Sequence, residues 1–268
     1  MKPYVVACIA AFAVACASAP VPLEPSGVIT ASVDEAWGEV VHDGLYRVQS
    51  NTWNAARAGA GSSQRVFLQD VGGREAFGWS WDWRNAGTDY VLAQPQVIFG
   101  LKPWEARSGD PLPWTQRAGN ATLEVDFRAR VRVTGAYNMA FTVWAFMDAA
   151  HPKESIVNEI MIWNDARGLV PAGSLLEVVE IDGREWRAYA RRGHVDDSGS
   201  SSQKWTYVAF QAVESFHEGT LRVRPFFDYL ISRGLLAPDA LFSSVEWGNE
   251  VVRGRGITEV DEYEVRLR

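Results

Sequence analysis

The sequence predicts an all-β protein, a two-sheet, strongly curved β jelly roll (sandwich) with one short α-helix. Three observations predict it. Segments in which apolar and polar residues alternate recur along most of the 268-residue chain, the pattern of half-buried antiparallel strands. Only residues 222–234 repeat their apolar side chains at helical spacing. Hydrophobic residues make up 47% of the chain, enough for a substantial core.

The N-terminal residues 1–19 read as an export signal. Lys2 gives a positive start, residues 5–15 are apolar but too short to span a bilayer, and Ala17-Ser18-Ala19 is a small-residue cleavage pattern. The same stretch also resembles a bacterial lipobox, Ala13-Val14-Ala15-Cys16, in which Cys16 is lipidated and becomes the first mature residue. Either way the protein is exported, free or lipid-anchored at the cell envelope. Both cysteines, Cys8 and Cys16, lie in this segment, so the mature domain has no intramolecular disulfide. Residues 20–31 read as an extended, proline-containing tether, and the domain is expected over 32–268.

Within that domain, residues 33–37 and 44–53 open the series of strands, followed by 62–71. Trp79, Trp81 and Trp83 alternate onto one strand face, either as an aromatic platform for a ligand or as half of the core; Trp81 is the ligand contact in the first reading. Residues 123–133 alternate most cleanly, with Leu123, Val125, Phe127, Ala129, Val131 and Val133 on one face. Further strands are expected at 137–147, 156–163, 175–181, 185–191, 205–213, 243–251 and 257–267. Asp182-Gly183 is a two-residue hairpin signal. In the helix, Val223, Phe226, Phe227, Leu230 and Ile231 form one stripe and Gly234 stands at the C-cap. The Gly/Ser run 198–202 reads as a loop within the domain.

Composition excludes several functions. A net charge of −7 and an isoelectric point near 5.2, with no basic cluster, argue against nucleic acid. The four histidines show no metal-ligand spacing and read as solvent-facing. No nucleophile elbow is present, and neither metal nor cofactor is expected. The 12 tryptophans suit thick β cores and stacking on sugar faces alike.

The chemistry centres on Ile156-Val157-Asn158-Glu159-Ile160-Met161-Ile162-Trp163. Strand alternation puts Glu159, Met161 and Trp163 on one face, a carboxylate beside a soft sulfur and a broad aromatic surface, which suits a groove that works on a sugar. Glycoside hydrolysis needs a second acid across the bond. Glu246, Gly248 and Glu250 share a face in the strand 243–251, and spacing alone does not choose between the two acids. A glycine beside an acid leaves room for a ligand to approach.

Here the sequence resembles glycoside hydrolase family 12, the small jelly-roll endoglucanases and xyloglucanases. Glu159-Ile160-Met161-Ile162-Trp163 resembles the family's nucleophile motif. Tyr46-Arg47-Val48-Gln49-Ser50-Asn51-Thr52-Trp53 resembles its early strand, and Gln94-Pro95-Gln96-Val97-Ile98-Phe99-Gly100, with Lys102-Pro103-Trp104, its Tyr-Pro segment. Val170-Pro171-Ala172-Gly173-Ser174 resembles the loop after the nucleophile strand, and Phe226-Phe227-Asp228-Tyr229-Leu230 with Arg233-Gly234 its single helix. Gly248-Asn249-Glu250, with Gly254 after it, resembles the acid/base motif. The similarity runs from about residue 32 to 268.

The resemblance implies a retaining endo-β-1,4-glucanase that acts on cellulose-like or xyloglucan chains, as a monomer without a cofactor. Glu159 is then the nucleophile and Glu250 the acid/base, kept protonated by burial and nearby negative charge, with Met161 and Thr142 supporting the nucleophile. Asn51, Trp53, Trp163 and Trp81 are the expected substrate contacts. Two positions depart from the family pattern. Phe141-Thr142-Val143-Trp144 stands where a Tyr-Asp-Ile-Trp-like strand is usual, so a hydroxyl replaces the acid that hydrogen-bonds the nucleophile, and Gln94 replaces a tyrosine. The family's N-terminal disulfide is also missing. The first departure raises an alternative, a glucan-binding jelly roll with weakened catalysis.

Overall fold

The structure, a computed structural model, describes residues 24–84, 87, 89–195 and 202–268. The export signal with Cys16, the first residues of the tether and nearly all of the Gly/Ser run lie outside the described residues.

In chain order the strands are β1 (Val28–Val33), β2 (Glu39–His42), β3 (Tyr46–Gln49), β4 (Ser63–Asp70), β5 (Glu75–Trp83), β6 (Gln96–Gly100), β7 (Gln116–Arg117) and β8 (Glu124–Phe146). They continue as β9 (Ile156–Arg167), β10 (Ser174–Ile181), β11 (Arg184–His194), β12 (Trp205–Ala212), β13 (Glu218–Arg222), β14 (Leu241–Phe242), β15 (Ser244–Gly248) and β16 (Val251–Arg266), with the helix α1 at Val223–Ser232.

The pairing makes two layers that share one long strand. The first runs β1-β4-β5-β16-β8, with β13 beyond β8; the second runs β2-β3-β6-β15-β8-β9-β12-β11-β10. Up to Tyr137, β8 pairs with β16 and β13; from there it pairs with β15 and β9. Near the handover Gly135 pairs with Gly254, both at φ +108. A Cβ on either would come within 2.1 Å of a facing carbonyl oxygen, so only glycine allows this crossing. All neighbouring pairs are antiparallel except β9 and β12.

The main core lies between the layers. Phe141 of β8 and Trp247 of β15 stack at 5.2 Å, and Trp247 stacks on Tyr263 at 6.0 Å. This fixes the parity of the second layer: Phe141 and Trp247 face the core, so Thr142 and Glu246 face the other way. The α1 stripe of Val223, Phe226, Phe227 and Leu230 is buried as expected. Gly234 at φ +63 closes the helix, with Leu235 N–H donating to Leu230 O and Gly234 N–H to Ile231 O, a Schellman ending. Asp182 and Gly183, both at positive φ, turn β10 into β11.

Two expectations about the start of the domain are corrected. Residues 28–31, read as tether, belong to β1, which pairs with β4 from Val28↔Asp70 to Val33↔Val66. The prolines end at Pro25, and Val28-Ile29-Thr30-Ala31-Ser32-Val33 can join a ladder without losing donors. Ser26 is tied down too, its N–H and hydroxyl both donating to Glu259 Oε1. Of residues 33–37, read as strand, only Val33 belongs to one, at the end of β1, and 34–37 lie in the turn into β2.

Candidate active site

The registers of the second layer assemble the site. Arg47, Ile98, Glu246, Thr142, Met161 and Ala209 are successive partners across β3, β6, β15, β8, β9 and β12. Ladder partners share a face, so this row lies on the side turned away from the core. The adjacent row is Trp144, Glu159 and Tyr207. The two strands that flank β9 thus decide what surrounds Glu159.

Glu159 is half-buried, and Trp205 Nε1 donates to its Oε2 at 2.8 Å. The Trp205 ring is boxed by Trp144 at 5.4 Å and Trp104 at 5.9 Å. Glu250 sits in the turn between β15 and β16. Asn138 of β8 clamps it twice: the Asn138 amide donates to Glu250 Oε2, and Glu250 N–H donates to Asn138 Oδ1 at 3.1 Å. The turn itself is held by buried Asn249, whose Oδ1 accepts from Trp79 Nε1 and the Thr258 hydroxyl and whose amide donates to Asn138 O. A fully paired buried network of this kind rigidifies what it carries.

Although distant in sequence, the two acids both act on one group. The Tyr207 hydroxyl is buried and pushed well above its ordinary range, by burial first and then by the charges of Glu250 and Glu159. Glu246 has a different environment. It is 2% exposed, its Oε1 has no hydrogen-bond partner among the described residues, and burial pushes its carboxyl up to about 7. Lys102, Arg47 and Gln96 oppose that rise and Glu105 adds to it. Lys102 and Arg47 are themselves committed, Lys102 Nζ to Gln49 Oε1 at 2.8 Å and Arg47 to Glu105 at 2.6 Å.

The expected site residues separate into three groups. Thr142 and Met161 lie beside Glu159 on its face, and Gln94 Nε2 donates to Thr142 Oγ1 at 3.4 Å, so the two departures from the family pattern touch each other. Asn51, at φ +48, accepts the Gln94 N–H through its carbonyl, and half-buried Trp53 follows in the same loop. Backbone bonds from Asn249 N–H to Pro95 O and from Val251 N–H to Ala93 O place Gln94 opposite Glu250, so Asn51, Gln94 and Glu250 are cross-strand neighbours.

Three expectations fail. Trp81 is not a substrate contact: β5 belongs to the first layer, and the indole is 1% exposed in the main core with Trp79 and Trp83. Trp163 faces the expected side but is 3% exposed, in a cluster with Met161, Tyr207, Ala140 and Ala209 against which Ala166, Leu169 and Ala172 pack, so it forms floor and offers no ring face. Gly248 leaves no room for a ligand: its missing Cβ would lie 2.2 Å from Pro95 O, and the glycine serves the close approach of that backbone.

The histidines are paired or packed. His151 and His217 contact Asp148 and Asp165, and His194 packs on Trp205 and Tyr207. Among the described residues, His42, Asp43 and Glu75 bring three ligand atoms within 4.8 Å of one another, but separate ring nitrogens of His42 face the two carboxylates, the geometry of an ion-pair cluster.

A family model for glycosyl hydrolase family 12 matches residues 44–267. The chain belongs to glycosyl hydrolase family 12. Endoglucanase S of Pectobacterium parmentieri is 28% identical over 229 residues, 83% of this chain and 82% of that one. A family 12 xyloglucanase from Bacillus licheniformis is 25% identical, covering 89% of this chain and all of its own, with a TM-score of 0.77. The fold also matches endoglucanase cel12A from Rhodothermus marinus, 22% identical, covering 89% and 99% of the two chains, with a TM-score of 0.67. The all-β jelly roll with one helix is therefore the family 12 architecture.

Sequence reading missed three residues of this family 12 site. Asn138 carried a signal, as a polar residue sharing parity with Thr142 in an apolar strand. Trp205 and Tyr207 alternate visibly on one strand face, but their place beside Glu159 depends on the parallel pairing of β12 with β9, which no local pattern encodes.

Proposed function

We propose that this family 12 chain is a retaining, endo-acting hydrolase of β-1,4-glucan chains, cellulose-like or xyloglucan. The observation that carries the reading is that Glu159 and Glu250 are each fixed by a donor, Trp205 for the first and Asn138 for the second, with the charges of both reaching the Tyr207 hydroxyl. Relatives named as endoglucanases and a xyloglucanase support the substrate class.

In the first step the Glu159 carboxylate attacks the anomeric carbon, the glycosidic C–O bond breaks, and Glu250 gives its proton to the departing oxygen. In the second step water attacks the glycosyl-enzyme, Glu250 takes the water proton, and Glu159 leaves as carboxylate. Met161 and Thr142 flank the nucleophile, and Asn51 and Trp53 contact the sugar chain. The glucan-binding alternative rested on Thr142 replacing an acid beside the nucleophile. The Trp205 donor at Glu159 favours the enzyme. Export belongs to the same reading, supported by Lys2, the apolar run 5–15 and Ala17-Ser18-Ala19, with Cys16 as the alternative lipid anchor and a monomer as the working state.

The test is release of reducing ends from xyloglucan, mixed-linkage β-glucan and carboxymethylcellulose by wild type, Glu159→Ala and Glu250→Ala. Hydrolysis by wild type that both substitutions abolish is expected, and the preferred polymer is read from the same data. Binding without hydrolysis on every polymer would make the chain a glucan-binding protein.

A further inference from the structure

We propose that Trp205 is a positioning residue for the nucleophile: its indole N–H, fixed in an aromatic box, holds the Glu159 carboxylate ionised and aimed. The inference rests on the reading in which Glu159 attacks the sugar.

Four observations carry it. The Trp205 Nε1–H to Glu159 Oε2 bond is 2.8 Å, the length of a charge-assisted bond. The ring has little freedom, being 5% exposed and packed edge-on against Trp144, Trp104 and His194 at 5.4, 5.9 and 5.7 Å. The parallel register of β12 on β9 pairs Asn158 with Thr206 and Glu159 with Tyr207, which puts Trp205 two residues along from the direct partner of Glu159 on the same face, a diagonal neighbour whose long side chain reaches the carboxylate. Finally, an indole nitrogen is a donor only and does not titrate, so its support is the same at every working pH, unlike that of an acid partner.

A donor to a carboxylate favours its charged form. The other groups on the neighbouring elements are Tyr207 on β12, Arg191 and His194 on β11, Thr142 on β8, Glu246 on β15 and Glu250 after it. Glu250 or Glu246, when ionised, would disfavour a second negative charge on Glu159; the Trp205 N–H works the other way.

The test is the pH profile of kcat/KM on a soluble β-glucan for wild type, Trp205→Phe and Glu159→Ala. In Trp205→Phe the acidic limb is expected to move up by about one pH unit and kcat to fall roughly 10- to 100-fold, with KM little changed. An acidic limb that stays in place overturns the inference. Should the phenyl ring underfill the box and the chain not fold, the benzothienyl analogue of tryptophan at 205 keeps the bicycle without the N–H and carries the same expectation. Glu159→Ala separates the two claims. If it hydrolyses like wild type, the functional reading falls and the inference with it. If it is inactive and the limb of Trp205→Phe is unmoved, only the role of Trp205 falls.

Discussion

Replacing Glu246 by glutamine should stabilise the protein at neutral and alkaline pH and leave it nearly unchanged at acid pH. Burial lifts this carboxyl from 4.5 to about 7 in the folded chain, and its Oε1 has no hydrogen-bond partner among the described residues. Below pH 4.5 both folded and unfolded chains hold the proton, so the carboxyl carries no ionisation penalty. Between 4.5 and 7 the unfolded chain releases the proton while the folded chain keeps it, and stability falls as pH rises. Above 7 the full difference applies, about 3 kcal/mol at roughly 1.4 kcal/mol per unit. Glutamine has nearly the same shape and cannot ionise. Thermal unfolding followed by near-ultraviolet circular dichroism from pH 4.5 to 8.5 should show the melting temperatures converging at the acid end. At pH 8 the variant should melt higher by about 6–12 °C for a domain of this size. A gap of equal size at all pH values, or a less stable variant at pH 8, would refute the reasoning.

Three further outcomes are expected. Asn138→Ala removes the amide that donates to Glu250, so the acid/base pKa should rise and the basic limb of kcat/KM move upward, with kcat reduced by up to about 100-fold; an unchanged basic limb would show that the clamp is only structural. Trp81→Ala should cost about 3–5 kcal/mol in chemical denaturation and leave KM for glucan unchanged, whereas a raised KM with intact stability would return Trp81 to the substrate. The intact mass of protein recovered from producing cells should lack residues 1–19, or residues 1–15 with a lipid on Cys16; the full 29.7 kDa chain would contradict export.

Much of the fold was legible because the signals were local. The alternation over 123–133, the Asp182-Gly183 turn and the stripe from Val223 to Ile231 each depend on neighbours a few residues away. The error at β1 was local as well: nearby prolines outweighed the alternation of Val28-Ile29-Thr30-Ala31-Ser32-Val33. The site was legible in its acids but less so in its surroundings. Parity put Met161 and Trp163 on the face of Glu159, yet it could not show that the indole is buried in a cluster against which Leu169 and Ala172 pack. It likewise put Trp81 on one face of β5 without revealing that β5 lies in the other layer. Trp205, Tyr207 and Asn138 reach the acids through pairings between distant segments, and such pairings are set by the whole fold.

The most direct measurement is the covalent intermediate itself. Incubating the mature domain with an activated 2-deoxy-2-fluoro cello-oligosaccharide slows breakdown of the glycosyl-enzyme, and peptide mass spectrometry then locates the sugar. The account predicts one glycosyl group per chain on the peptide that contains Glu159, absent from Glu159→Ala. A sugar on another residue, or hydrolysis that proceeds with inversion at the anomeric carbon and no adduct, would contradict it.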